Sequence, residues 1–131
     1  MPRETEIKVR GYHLDIYSHV NNARYLEFLE EARWVLLEDH IDEMAAKGYA
    51  FFVVNINISY KSPAAMGDVL LIDTRLSKLG GKSGTFTQVI TRKGEEKVVA
   101  EADVTFVVAG ADGKLLPMAG ELKKTMMSVV A

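Results

Sequence analysis

The chain has no cysteine in its 131 residues. A disulfide framework and a thiolate metal site are therefore excluded, and a reducing cytoplasm is the simplest expected home. Charge of one sign is not in excess. Sixteen Lys and Arg against 18 Asp and Glu leave a formal net charge of -2, with no Lys/Arg block, which argues against a broad nucleic-acid-binding face. No apolar run is long enough to span a bilayer. The start, Met1-Pro2-Arg3-Glu4, lacks the apolar region of a signal peptide. Repeats, Pro-rich linkers and low-complexity tracts are also missing.

The composition that remains is that of an ordinary globular protein, 48% apolar and 26% charged. The length predicts one domain, residues 1–131, able to bury roughly 70% of its unfolded surface around a single core.

Thr5 to Arg10 sets Ile7 and Val9 against Glu6, Lys8 and Arg10, the alternation of a half-exposed strand. Gly11 ends it. From about Asn22 to Leu37 the period changes. Tyr25, Phe28, Leu29, Ala32 and Leu36 form one helical stripe, opposite Arg24, Glu27, Glu31 and Glu38. Trp34, Val35 and Leu37 widen the apolar surface, so more than one face should be buried. Asp39 to Lys47 predicts a shorter helical piece stopped at Gly48. From Phe52 to Tyr60 the period is two, with Phe52, Val54, Ile56, Ile58 and Tyr60 on one face. Asn55 and Asn57 fall on the other, towards solvent, a polar interface or a site. Further strands are predicted at Val69–Leu79, Ser83–Thr91 and Val98–Val108, separated by Gly80-Gly81 and Lys93-Gly94. Asp112-Gly113 signals a tight turn before a short strand at Lys114–Met118. Gly120 to Val130 reads as a closing helix or a loose tail.

One helix followed by antiparallel strands is an α+β pattern. A single helix cannot cover both faces of so long a sheet, so a second copy of the chain is expected on the bare face, giving a homo-oligomer.

Between the first strand and the long helix lies one carboxylate, Asp15, in a polar loop seven residues before the helix start. Helix N-terminal N–H groups can bind a developing anion, and a carboxylate aimed there can act as base or nucleophile. An Asp before a helix is more often a cap or turn residue. Here Asn21 and Asn22 are the better caps, which leaves Asp15 without an obvious structural task.

Asp15, His19-Val20-Asn21-Asn22 and Tyr25 resemble the signature of the 4-hydroxybenzoyl-CoA thioesterase-like branch of the hotdog fold. Its antiparallel sheet, here five or six strands, wraps around one long central helix. The stretches Lys8–Asp15, Ala23–Trp34, Val53–Ile58 and Gly81–Gly84 extend the similarity to FadM-type long-chain acyl-CoA thioesterases of bacteria. It is weakest at Asp39–Lys47, Arg92–Lys97 and the C-terminal tail.

The resemblance implies hydrolysis of acyl-CoA, long chains preferred, to fatty acid and CoA. Asp15 would attack the thioester carbonyl or activate a water, and the backbone N–H of Asn22 would polarise that carbonyl. Tyr25 would shape the pocket. Lys82 and Ser83 match positions that contact CoA phosphates in relatives, and Lys61 and Ser62 lie in another stretch near the nucleotide. Gly80-Gly81 replaces basic residues that some relatives carry. The acyl chain would lie beside the helix near Phe28, Phe52 and Val54, although such side chains more often only pack. The resemblance also implies a dimer with its site at the interface, further assembled into a tetramer, with no metal or cofactor required.

Other constellations are weaker. His13, Asp15 and His19 could hold a metal, but no further spaced ligand follows. No Gly-x-Ser-x-Gly elbow is present. Gly80-Gly81-Lys82-Ser83 lacks the spacing of a phosphate loop. Glu27, Glu30 and Glu31 could supply a helix-borne carboxylate, as another hotdog branch does. A hydrolase acting on acyl carrier protein thioesters, or a non-catalytic acyl-CoA-binding protein, are the alternative functions; a binder would have no need of Asp15.

Overall fold

The computed structural model describes residues 3–130. Met1, Pro2 and Ala131, the ends of the expected domain and part of the N-terminal segment read above, lie outside the described residues. Five antiparallel strands form one sheet in the order β1-β3-β4-β5-β2. They are β1 (Arg3–Lys8), β2 (Ala50–Tyr60), β3 (Val69–Gly80), β4 (Ser83–Arg92) and β5 (Val98–Ala109). The helices are α1 (Asn22–Leu37), α2 (Ile41–Ala46) and α3 (Gly120–Val129). The C-terminal segment is thus a helix rather than a loose tail. The strand expected at Lys114–Met118 does not form. A lone bridge joins Leu115 to Ala109, leaving five strands rather than six.

The predicted stripe of α1 is its buried face: Tyr25, Phe28, Leu29, Ala32 and Leu36. They pack against Ile72, Phe86, Ile90, Val104, Phe106 and other inward residues of the sheet in one core. Each large side chain so buried contributes about 1.5–3 kcal/mol. Phe106 lies at the far end of this core, 5.6 Å from Phe51 and 4.8 Å from Phe86 between ring centroids. Gly84 makes room for it, since a Cβ there would come within 2.7 Å of Phe106 Cε1.

The face of β2 differs from the expectation. The register with β5 shifts between Val53 and Asn55, a β-bulge at Val54. Phe51 and Val53 therefore pair with the inward Val108 and Phe106, whereas Ile56, Ile58 and Tyr60 face inward beyond the bulge. Phe52 and Val54 are 52% and 58% exposed, so they do not line a chain path beside α1. One inserted residue reverses the phase of everything before it.

Candidate active site

The loop from Leu14 to Val20 is closed by its own backbone. Leu14 and Val20 form a bridge, and Asp15 N–H donates to His19 O at 2.8 Å. Ser18 completes the turn with φ of 63°, a left-handed conformation costly for a residue with a Cβ. Asp15 Oδ1 accepts from Tyr17 N–H at 2.8 Å and His19 N–H at 3.3 Å. These two donors orient the carboxylate, and Asp15 stays exposed. Its other oxygen has no partner among the described residues, leaving lone pairs for a proton or an electrophilic carbon.

The same loop delivers the helix start. Val20 N–H donates to Ala64 O at 2.8 Å, and Asn21 N–H to His13 O at 2.9 Å. Asn21 is the N-cap, its side chain accepting from Ala23 N–H at 2.9 Å. Asn22 is the first helical residue. Its N–H is one of the donors a helix cannot satisfy internally, and no acceptor engages it among the described residues. The loop that holds Asp15 thus leads straight into an open amide at the positive end of a 16-residue helix. Exposed carboxylate and free N–H together have the components for acyl transfer: a base or nucleophile and an oxyanion donor.

Three residues that the sequence did not single out support this end of the fold. Tyr60 Oη donates to Asn22 O at 3.2 Å, tying β2 to the first turn of α1. Arg92 Nη1 donates to Pro63 O at 2.7 Å, fixing the segment whose Ala64 carbonyl receives Val20. Arg24 Nη2 donates to Tyr12 O at 3.3 Å. Arg24 lies within the Ala23–Trp34 stretch, whereas only the strand register brings Tyr60 and Arg92 here.

His13 is buried. Its Nδ1 accepts from Arg10 N–H at 2.9 Å, and its ring meets Phe28 edge-on at 4.9 Å. This use of Nδ1 and the ring gives it a packing role beside Asp15. Burial lowers its pKa first, Arg24 and Arg10 in the same direction, while Glu27 opposes.

Tyr25 is also buried, 4% exposed, stacked obliquely on Tyr60 at 5.5 Å and edge-on to Phe28 at 6.1 Å. It braces the site from within the core. Burial raises its phenol pKa, with an opposing hydrogen bond from the Ala64 backbone.

The four phosphate candidates separate. Lys61 and Ser62 lie at the Asp15 end of the sheet. Lys61 Nζ sits 3.6 Å from Glu101 Oε1, and Ser62 Oγ donates to Val98 O at 2.9 Å. Lys82 and Ser83 lie at the opposite end, where β4 begins beside Phe106. The length of β4 puts the two pairs about 20 Å or more apart. Glu27, Glu30 and Glu31 are exposed along α1.

The comparisons with known proteins bear on the family and the fold. The family model described as the thioesterase-like superfamily matches residues 9–126. The chain is 54% identical to the long-chain acyl-CoA thioesterase FadM of Escherichia coli over 130 residues, covering 97% of this chain and 98% of that protein. It is 30% identical over 102 residues to the acyl-acyl carrier protein thioesterase ATL3 of Arabidopsis thaliana, covering 76% of this chain and 54% of the relative. The crystal structure of YbaW from Escherichia coli superposes with a TM-score of 0.93 at 53% identity, covering 98% of each chain. The α+β sheet around one long helix is the hotdog fold, and the chain belongs to the thioesterase-like superfamily.

Proposed function

We propose that the protein hydrolyses acyl-CoA thioesters, long-chain ones preferentially, to fatty acid and CoA. The observation that carries this reading is the placement of Asp15, held by two backbone N–H groups, in the loop that ends at the unengaged N–H of Asn22. The similarity to FadM over nearly the whole chain supports the choice of thioester.

In the reaction the thioester carbonyl oxygen lies against the Asn22 N–H. Asp15 attacks the carbonyl carbon or takes a proton from an attacking water. Charge then grows on the oxygen at the helix N-terminus, the C–S bond breaks and CoA leaves as its thiolate. Where Asp15 is the nucleophile, water then cleaves the acyl–Asp15 anhydride, releasing the fatty acid and restoring the carboxylate. A single preorganised donor of this kind contributes on the order of 10²- to 10³-fold in rate. A thioester is electrophilic enough for these groups to suffice.

The site is completed by a second copy. Asp15 is open to solvent, flanked by Ile16 and Tyr17 at 89% and 75% exposure, a surface suited to burial against another chain. Lys61 and Ser62 meet the CoA from the Asp15 end. Lys82 and Ser83, remote in one chain, come from the other. The assembly is a dimer with interface sites, further paired as a tetramer. Its place is the cytoplasm, in keeping with a chain without cysteine. No described helix is long and apolar enough to cross a membrane.

Hydrolysis measured across acyl-CoAs of increasing length, with matching acyl carrier protein thioesters in parallel, tests the reading. Rates that rise with chain length on CoA support it. Hydrolysis confined to the carrier-protein thioesters would favour the second reading, which the similarity to ATL3 motivates. Tight acyl-CoA binding with no turnover would make the protein a binder.

A further inference from the structure

A cavity of about 530 Å³ lies between the second half of α1, α2 and the edge strand β2. Its walls are mostly apolar, with Trp34 and Leu37 from α1, Met44 from α2, and Phe51, Val53 and Ile56 from β2. On α1 the lining begins at Glu30, about two turns past Asn22. Tyr60 at the end of β2 is bonded to Asn22 at the start of α1, so strand and helix run in opposite directions along it. The helical rise puts Arg33 about 16 Å from Asn22, roughly the length of a dozen methylenes.

Two charged side chains interrupt the apolar lining, Arg33 and Glu30. Arg33 Nη1 donates to Gln88 Oε1 at 3.0 Å. Gln88 is itself buried, its Nε2 donating to Leu29 O and Thr74 Oγ1, each at 3.0 Å. The amide therefore presents its oxygen to Arg33 and fixes the guanidinium. A guanidinium has five N–H donors, and the Gln88 contact uses one. Among the described residues no carboxylate comes within ion-pair distance of it. Glu30, one turn earlier, is near enough to act on its charge, but Glu30 Oε2 accepts from Trp34 Nε1 at 3.3 Å instead.

A plain hydrocarbon chain in this groove would strip water from the remaining Arg33 donors and replace it with nothing. A carboxylate on the chain would satisfy Arg33 but meet the like charge of Glu30. A hydroxyl suits both, because its oxygen accepts from Arg33 while its proton goes to Glu30. We propose that the groove receives the acyl chain and that Arg33 and Glu30 together select one bearing a hydroxyl about a dozen carbons from the thioester. This rests on the thioesterase reading for the direction of the chain.

The test compares 12-hydroxyoctadecanoyl-CoA, octadecanoyl-CoA and the mono-CoA thioester of dodecanedioic acid as substrates. Calorimetric binding of the corresponding free acids is measured alongside. The native protein is expected to favour the hydroxylated chain by about tenfold or more in kcat/KM, since a site built to bond a hydroxyl penalises its absence. Arg33→Leu should remove that preference, and Arg33→Leu combined with Gln88→Leu repeats the test without an unpaired buried amide. Equal treatment of hydroxylated and plain chains by the native protein overturns the proposal, as does a preference for the dicarboxylic chain. Retention of the preference in both variants overturns the role of Arg33. If no thioester is cleaved but the hydroxy acid still binds preferentially, the groove assignment stands and the thioesterase reading falls.

Discussion

Asp15 is positioned by its own loop and makes no ion pair among the described residues. Its Oδ1 closes on Tyr17 and His19 N–H groups, an arrangement the sequence could suggest only as a generic turn. Behind it, His13 fixes the preceding turn through a neutral-ring contact, with Nδ1 as acceptor from Arg10 N–H. Burial, then Arg24, lower the His13 pKa below the ordinary 6.5, Arg10 adding to the shift and Glu27 opposing it. The unfolded chain therefore takes up a proton before the folded one does as pH falls. Stability from neutral His13 is complete above about pH 6.5 and is lost as pH falls from there through the lowered folded value. Thermal melting followed from pH 7 to pH 5 should show a falling Tm for the native chain. The fall should be shallower for His13→Asn, whose side-chain oxygen can still accept from Arg10 N–H. An identical slope in the two proteins would show that His13 is not the titrating group. In sequence, His13 stood out only as a flank of Asp15, because its burial depends on Phe28 one helix away.

The long helix was legible in full. Its predicted bounds, Asn22 to Leu37, are those observed, and its stripe is the buried one. The stripe was clear because polar residues interrupt the apolar ones at helical spacing. Strand β2 lacked such a marker. Phe51, Phe52, Val53 and Val54 are all apolar, so either phase of a period-two pattern fits them, and the bulge between Val53 and Asn55 was invisible. The result is an edge strand with Phe52, Val53 and Val54 at 52%, 47% and 58% exposure. Unpaired edges rich in apolar side chains invite another strand or chain. Sedimentation equilibrium at micromolar concentration is expected to give a multiple of the 14.5 kDa chain mass, reduced on Val54→Lys. A native monomer throughout would contradict the two-copy site.

As a whole, the molecule separates what pattern and chemistry can reveal from what only three-dimensional register decides. The α+β class followed from the change of period along the chain, and the family from the residues around Asp15. Lys61 and Ser62 lie at one end of the sheet and Lys82 and Ser83 at the other, a separation along β4 that spacing in the sequence does not reveal. Tyr60 and Arg92, which brace the site, depend on contacts 38 and 29 residues away along the chain. The groove between α1 and β2 likewise needed the bulge before its lining could be known. Every step of the proposed chemistry converges on one carboxylate. Steady-state hydrolysis of a long-chain acyl-CoA by Asp15→Asn, with binding of the same thioester measured in parallel, is therefore the decisive experiment. The account predicts a loss in kcat on the order of 10²- to 10⁴-fold with binding retained, the usual contribution of a positioned base. Undiminished turnover would contradict it and move the search to Glu27, Glu30 and Glu31 on α1.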